Sequence, residues 1–296
     1  MITVQEAFKK FRSRLELTEK EQKDASRRQQ EMRSVIDAGF AVDRDFLTGS
    51  YARWTKTKPL KDVDIFCVLK EEERHYREKK PTVLLGCVEK VLVDKYGKDK
   101  VGCQRRSVTV SFGVEEVNGE TNDQVMSFDV VPAFTKGDHY EIPDTARDSG
   151  WTETNPDIHA QKAKEAQDAY DGEWKGLVRM MKSWNRYHDK PIKPSFLIEV
   201  MGLEVLHPPF GGTYSREMQA FFLTLADRIF EKWPDPAGLG PDVSDSMTQE
   251  NCRAARESLL KTEKKAAYAI LLERQEKIGE ALRAWRELFG PLFPLS

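Results

Sequence analysis

The spacing of apolar residues divides this chain into a mixed first half and a helical second half. Apolar positions three, four and seven apart predict one long amphipathic helix over residues 3–38. β-Branched and aromatic runs predict strands over 62–69, 108–112 and 124–134, and a helix over 81–96 that ends at Gly97. A strand, a helix and then an antiparallel pair is the order of an α+β unit.

Beyond residue 156 the pattern is helical. Helices are predicted near 157–170, 173–189, 195–206, 215–232 and 248–289. Connecting segments are predicted over 71–80, 135–156 and 234–241, with a turn at Asn118-Gly119. These elements predict an α+β fold of two domains, residues 1–155 and 156–296. A cleft between the two domains is the default ligand site.

Composition narrows the class of protein. The 296 residues are 39% hydrophobic and 32% charged, with a formal net charge of −2, so the whole chain is no obvious polyanion binder. We expect no membrane segment, because no run of eighteen apolar residues occurs, and no signal peptide, because the first residues, Met-Ile-Thr-Val-Gln-Glu-Ala, lack its apolar core. The four scattered cysteines predict reduced core thiols in a cytoplasmic protein, and they form no zinc-binding spacing.

One stretch combines a turn with two carboxylates. Asp62 and Asp64 are two apart on a predicted strand, so their side chains project to one face and repel each other unless a cation intervenes. Gly49 lets the backbone approach a ligand closely, and Ser50 offers a hydroxyl and an N–H to an anion. Either motif alone is usually structural. Together they predict phosphate at the turn and divalent metal at the strand.

A third acidic residue lies in a later apolar strand. Asp129 is surrounded by Phe128, Val130 and Val131, where an uncompensated carboxylate would be costly to bury. We therefore expect a metal or a charged partner beside it, and the alternative is a strand-end residue that reaches solvent.

Two further polar residues stand near a predicted helix–helix junction. Lys182 follows Arg179 by three positions on one helix, and Ser195 lies near the first turn of the next. Such a pair can hold a triphosphate, although a surface lysine and an ordinary helix cap fit the same pattern. Arg105 and Arg106, which precede a strand, fit either acceptor binding or an ordinary surface role.

These motifs occur in an order that resembles a known family. The Gly-Ser and Asp-x-Asp elements resemble the DNA polymerase β-like nucleotidyltransferases. The fuller series resembles the bacterial cGAS/DncV-like nucleotidyltransferases (CD-NTases) of CBASS anti-phage signalling, relatives of the oligoadenylate synthetases, and most resembles their clade D. The matching segments are Gly49–Arg53, Asp62–Ile65, Phe128–Phe134, Asn155-Pro156, Leu177–Asn185 and Ser195–Glu199.

The resemblance implies a role for each site residue. Asp62, Asp64 and Asp129 would bind two Mg²⁺ ions, for which Mn²⁺ can substitute, and carry the catalysis. The remaining implied site residues are nucleotide-binding: Gly49 and Ser50 at the donor phosphates, Lys182 and Ser195 at the triphosphate, and Tyr51 and Phe196 stacked on bases.

The implied activity is the joining of NTPs, ATP among them, into a cyclic oligonucleotide second messenger with release of pyrophosphate. A HORMA-type activator is an implied partner, and double-stranded DNA is not, because the zinc insertion of the animal members is not visible. Two alternatives remain: a nucleotidyltransferase with linear products or with RNA or protein as substrate, and a catalytically silent nucleotide-binding regulator.

Overall fold

The computed structural model describes residues 2–116 and 121–296, so the predicted turn at Asn118-Gly119 lies outside the described residues. The chain forms two compact units, residues 17–159 and residues 1–16 together with 160–296. The α+β class is confirmed, since one unit is built on a sheet and the other is helical. No helix within the described ranges is long and apolar enough to cross a bilayer.

The described residues contain ten α-helices. They are α1 (Val4–Leu15), α2 (Glu19–Asp37), α3 (Gly49–Ala52), α4 (Pro81–Tyr96), α5 (Pro156–Ala169), α6 (Trp174–Tyr187), α7 (Phe196–Val205), α8 (Tyr214–Arg228), α9 (Gln249–Arg274) and α10 (Ile278–Phe289). Short 3₁₀ helices occupy Glu71–Glu78, Lys98–Lys100 and Val243–Ser246.

A mixed sheet forms the unit of residues 17–159. Its strands are β1 (Val42–Thr48), β2 (Asp62–Leu69), β3 (Val101–Cys103), β4 (Val108–Ser111), β5 (Ser127–Lys136), β6 (His139–Pro143) and β7 (Trp151–Thr154). The order is β1-β2-β5-β4-β3, with β6 paired to β5 and β7 to β6. Strands β2 and β5 are parallel and the other pairs antiparallel. Helices α2 and α4 contribute to the apolar core of this unit.

The predicted single helix over residues 3–38 is wrong, because α1 and α2 are separate helices. Glu16 has extended backbone angles, and Thr18 begins α2 as its N-cap. Thr18 and Glu21 form a capping box, a Thr-x-x-Glu signal that was readable in the sequence. The segment 1–16 also belongs to the helical unit and not, as predicted, to the N-terminal domain. Phe8 of α1 packs edge-on against Trp285 of α10, which explains the association.

Four other predictions need correction. The predicted helix over 248–289 breaks between α9 and α10, where Glu276 has a φ of 60°. The segment 135–156 was predicted as loop but contains β6 and β7, and 71–80 contains a 3₁₀ helix. The short length of β6 and β7 made their alternation too brief to separate from a loop. The four cysteines are free, but Cys103 is exposed and is not a core thiol.

Arg105 and Arg106 have a structural role. Both guanidinium groups donate to Asp144, which is fully buried at the β6–β7 connection. Burial alone would raise the pKa of Asp144, but the hydrogen bonds from the two arginines lower it below its ordinary value. This pairing favours the structural reading of the two arginines over acceptor binding.

The buried carboxylate of Glu21 joins the start of α2 to the segment before β2. Its fully buried side chain accepts a 2.9 Å hydrogen bond from the Thr18 N–H and another of 2.9 Å from the buried N–H of Leu60. We predict that Glu21→Ala destabilises the protein by about 2–4 kcal/mol, because it removes a cap and strands a buried donor. Chemical denaturation monitored by circular dichroism measures the loss.

Glu6 supplies the matched control, because it closes the capping box of α1 at an exposed position. Glu6→Ala removes the same motif without stranding Leu60 and should cost no more than about 1 kcal/mol. Equal losses in the two variants would contradict the role assigned to the Leu60 hydrogen bond.

Candidate functional site

The strand β2 begins with two carboxylates on one side. Val63 between them is fully buried, whereas Asp62 and Asp64 are partly exposed on the opposite side. This alternation is the one predicted from the spacing of two. From Ile65 to Leu69 the strand is buried, so the carboxylates stand where the apolar part of the strand starts.

Strand pairing aligns the third carboxylate with them. In the parallel pair of β2 and β5, Asp64 lies opposite Asp129, and in the antiparallel pair of β5 and β4, Asp129 lies opposite Thr109. Thr48 of β1 lies opposite Asp64 on the other side. Residues in one register row share a face of the sheet, so four adjacent strands present Thr48, Asp64, Asp129 and Thr109 in one row. We call Asp62, Asp64 and Asp129 the carboxylate triad.

Burial and mutual repulsion disfavour ionisation in the triad. Burial raises the pKa of Asp64 to about 6, with further raising by the charges of Asp62 and Asp129 and opposition from Lys56 and Arg53. Burial likewise raises the pKa of Asp129 above its ordinary value, against a lowering hydrogen bond donated by the Thr109 hydroxyl. Such mutually perturbed carboxylates are typical of sites that receive a cation.

The turn before β2 is fitted closely to the triad. Gly49 begins α3 with a φ of +64°, and a Cβ there would lie 1.9 Å from Oδ2 of Asp64. The carbonyl of Ser50 accepts 3.0 Å hydrogen bonds from the N–H groups of Thr55 and Lys56, which folds the following segment back onto the turn. Glycine is therefore needed at position 49 both for its backbone angle and for the approach of Asp64.

Several residues beside the triad were not predicted from the sequence. Lys56 forms a 2.6 Å ion pair with Asp62. Arg53 is buried, and its positive charge lowers the pKa of Asp64. Trp54 is 58% exposed with a φ of 59°, a conformation that is rare for a bulky residue and common near functional sites. A lysine six residues before a carboxylate has no spacing rule, so only the fold could bring the pair together.

The carboxylate oxygens of the triad suit the Mg²⁺ ions that were predicted, but they do not converge on one point. Carboxylate oxygens are the ligands that Mg²⁺ prefers, and three of them lie on adjacent positions of β2 and β5. Across the described ranges, however, no three His, Cys, Asp or Glu side chains converge closely enough to hold an ion as they stand. Lys56 and Thr109 hold two of the three carboxylates instead. The donor chemistry fits Mg²⁺, and rotation of these side chains would be required to converge on it.

Tyr51 was predicted to stack on a base. Its ring is half-buried and packs partly against the core of the sheet unit. Burial raises the pKa of the Tyr51 hydroxyl above its ordinary value. The role in stacking stays a prediction.

The predicted residues of the helical unit have different environments. Lys182 was expected to be exposed or half-exposed, and this is wrong: it is 7% exposed and forms a 2.6 Å ion pair with Glu199, itself 2% exposed. Ser195 is exposed at the start of α7, and its hydroxyl makes no capping hydrogen bond to that helix. Phe196 is half-buried against the helical core. The nucleotide-binding roles of these three residues stay predictions.

Comparison with known proteins identifies the family. Residues 1–167, more than half of the chain, match the model of the Second Messenger Oligonucleotide or Dinucleotide Synthetase (SMODS) domain. The chain belongs to the SMODS family. It is therefore a nucleotidyltransferase enzyme, and the predicted membership of the CD-NTases is confirmed, while the assignment to clade D stays a prediction.

Curated relatives cover most of this SMODS protein. A probable cyclic nucleotide synthase of Bacillus cereus (strain VD146) is 26% identical over 83% of this chain and 81% of its own length. A cyclic AMP-AMP-AMP synthase of Acinetobacter sp. (strain ATCC 27244 / 9458) is 28% identical over 85% of this chain and 73% of its own length.

Solved structures share the fold of the SMODS protein. CdnC of E. coli MS115-1, solved with HORMA-deltaN, is 20% identical, covers 98% of both chains and superposes with a TM-score of 0.71. CdnG of Bradyrhizobium diazoefficiens, solved with GTP, is 15% identical over 97% of this chain and 95% of its own, with a TM-score of 0.70. The prediction of a polymerase β-like core with a helical C-terminal region is thereby confirmed.

The approach of Gly49 to Asp64 gives a sharp prediction. Gly49→Ala should both destabilise the SMODS protein and abolish pyrophosphate release, because Asp64 must move to admit the methyl group. Gly137→Ala is the matched control, since Gly137 has a φ of +65° but open space around its Cβ position. The control should lose only about 1–2 kcal/mol, the cost of a left-handed non-glycine residue, and keep its activity. Equal effects in a denaturation and pyrophosphate assay would contradict the contact.

The raised pKa of Asp64 predicts a pH dependence of the metal-free protein. A carboxyl group with a raised folded-state pKa stabilises the fold when protonated, and this contribution is lost as pH rises from about 4 through about 6. In EDTA, the melting temperature of Asp64→Asn should therefore rise relative to that of the wild type as the pH increases from 4 to 7. Asp43→Asn, at an exposed position of β1, is the control and should follow the wild type. Parallel curves for Asp64→Asn and wild type would contradict the raised pKa.

Proposed function

We propose that this SMODS protein is a metal-dependent nucleotidyltransferase that joins NTPs into a cyclic oligonucleotide with release of pyrophosphate. The observation that supports the proposal most is the carboxylate triad, in which the pairing of β2 with β5 aligns Asp64 with Asp129. The names of the relatives from Bacillus cereus and Acinetobacter favour a cyclic product. The latter favours ATP as a substrate.

Each residue of the sheet unit has a proposed task. Asp62, Asp64 and Asp129 would hold two Mg²⁺ ions, which would supply Lewis-acid charge neutralisation at the α-phosphate and at the attacking hydroxyl. Gly49 has no Cβ, and a Cβ at this position would push the Asp64 side chain out of the row. The hydrogen bond from Thr109 orients the Asp129 carboxylate. Asp129 is proposed to accept the proton of a ribose hydroxyl as the hydroxyl oxygen bonds to the α-phosphorus and pyrophosphate departs.

The remaining roles rest on the family resemblance. Ser50 is proposed to bind donor phosphates, Lys182 and Ser195 the triphosphate, and Tyr51 and Phe196 the bases. The biological setting that we propose is anti-phage signalling in the cytoplasm. CdnC was solved with a HORMA protein, and this supports a HORMA-type activator as a proposed partner here.

The product assay tests the reaction. The protein is incubated with the four NTPs and Mg²⁺ or Mn²⁺, and the products are then treated with phosphatase. Cyclic products are expected to survive this treatment. Linear triphosphates would lose their terminal phosphates and indicate the alternative linear or polymer-modifying activity, and absence of pyrophosphate would indicate a silent regulator.

Asp129→Asn tests the assignment of the triad. The amide keeps the size of the side chain but loses the charge that binds metal and the capacity to accept a proton. We predict that pyrophosphate release falls at least a hundredfold, as for loss of a general base, while the melting temperature does not fall. Asp43→Asn on β1 should leave turnover unchanged. Activity of Asp129→Asn within about tenfold of the wild type would contradict the two-metal assignment.

The buried ion pair of Lys182 and Glu199 predicts that Lys182→Ala affects stability as well as ATP binding. Removing the lysine takes away the ion-pair partner of a buried carboxylate, so we predict a loss of about 3–5 kcal/mol in stability in addition to any effect on ATP binding. In a double-mutant cycle, Lys182→Met combined with Glu199→Gln should regain most of that stability. If the double variant also regains the Michaelis constant for ATP, Lys182 serves the core alone and its proposed contact with triphosphate is wrong.

A further inference from the structure

Lys56 is a half-buried lysine anchored beside the triad, and the side chain of its partner Asp62 is 49% exposed. The Lys56 side chain is 11% exposed, and its Nζ lies 2.6 Å from Oδ2 of Asp62. Its backbone N–H donates to the Ser50 carbonyl at 3.0 Å, and its neighbours Thr55 and Thr57 are buried. The backbone at Lys56 is therefore fixed, and the ammonium group is brought to the carboxylates by the same turn that carries Gly49.

The charge of Lys56 acts on the whole triad. Besides its ion pair with Asp62, it lowers the pKa of both Asp64 and Asp129 against the raising effect of burial. A single ammonium group thus offsets part of the repulsion among three carboxylates. The lysine side of this pair is largely desolvated, whereas the Asp62 side is half exposed, so the pair lies between a buried and an exposed salt bridge.

An ammonium group and a divalent ion compete for the same oxygen. While Lys56 contacts Oδ2 of Asp62, its positive charge repels a divalent ion that approaches the same carboxylate, so the contact weakens metal binding there. The side chains of the triad also do not converge on a metal as they stand. Metal binding therefore competes with the contact between Lys56 and Asp62.

We propose that Lys56 is the built-in counter-ion of the carboxylate triad, a positioning residue that holds Asp62 in the metal-free protein and weakens divalent-cation binding by competing for it. The inference rests on the proposed metal-dependent function. It adds that the affinity for metal is set by a residue of the Gly-Ser turn, so that a change at this turn alters metal binding without altering any ligand.

The test measures binding of Mn²⁺ alone, without nucleotide, by electron paramagnetic resonance. Lys56→Met keeps the length of the side chain and removes its charge, and we expect it to bind Mn²⁺ at least about tenfold more tightly than the wild type. Lys61→Met is the matched control, because Lys61 is next to Asp62 in the chain but pairs with Glu116. The control should bind as the wild type does. Unchanged or weaker binding by Lys56→Met would overturn the inference.

Stability in EDTA gives an independent readout. Lys56→Met should melt at a lower temperature than the wild type, and Mn²⁺ should restore more of this loss than it adds to the wild type. Combining Lys56→Met with Asp62→Asn should also restore it, because one of the repelling carboxylates is then neutral. A variant that stays unfolded even with Mn²⁺ would show that Lys56 is a structural core residue, which contradicts the proposal.

The outcomes separate the inference from the proposed function. If Asp62→Asn binds Mn²⁺ as the wild type does, or if neither the wild type nor Lys56→Met binds it, the proposed metal site is wrong. If the wild type binds Mn²⁺ through Asp62 but Lys56→Met binds no more tightly, the metal site stands and the role of Lys56 is wrong.

Discussion

Repulsion between carboxylates that the sheet holds side by side is the constraint on which this structure depends. The parallel register of β2 and β5 fixes Asp64 opposite Asp129, and the alternation of β2 adds Asp62 to the same side. The next residue of each strand, Ile65 and Val130, is buried in the apolar core, and this holds the backbone of both aspartates in the row. Burial raises the pKa values of Asp64 and Asp129, and the charges of neighbouring carboxylates raise them further.

The surroundings of the triad offset that repulsion. Thr109 donates a hydrogen bond to Asp129, Lys56 neutralises Asp62, and Gly49 leaves room for Asp64. Thr109 lies on β4, whereas Gly49 and Lys56 belong to the one turn that begins with α3. A site that stores repulsion in this way favours a cation of higher charge than lysine, which is the physical basis of the proposed metal dependence.

The sequence predicted those parts of the site that depend on local spacing. Asp62 and Asp64 share a face because any strand alternates, and Gly49 was recognisable from its turn. The partner of Asp62 was not predictable, because Lys56 reaches it only through the fold of the turn. Likewise Lys182 looked like a surface residue on an amphipathic helix, but Glu199 of the next helix allows it to be buried. The division of the first helix was missed for another reason: the apolar residues before Thr18 and from Met32 onward fit one helical spacing, and the charged stretch between them contains the Thr18 cap.

The central claim is that the triad binds divalent cations in the presence of nucleotide. Its most direct test is a crystal structure of the protein with Mn²⁺ and a non-hydrolysable ATP analogue, with anomalous scattering to locate the manganese. We expect anomalous peaks within roughly 2.0–2.3 Å of oxygens of Asp62, Asp64 and Asp129, as for small octahedral divalent ions. We also expect Lys56 to be withdrawn from Asp62. Manganese bound elsewhere, with Lys56 still paired to Asp62, would contradict this claim.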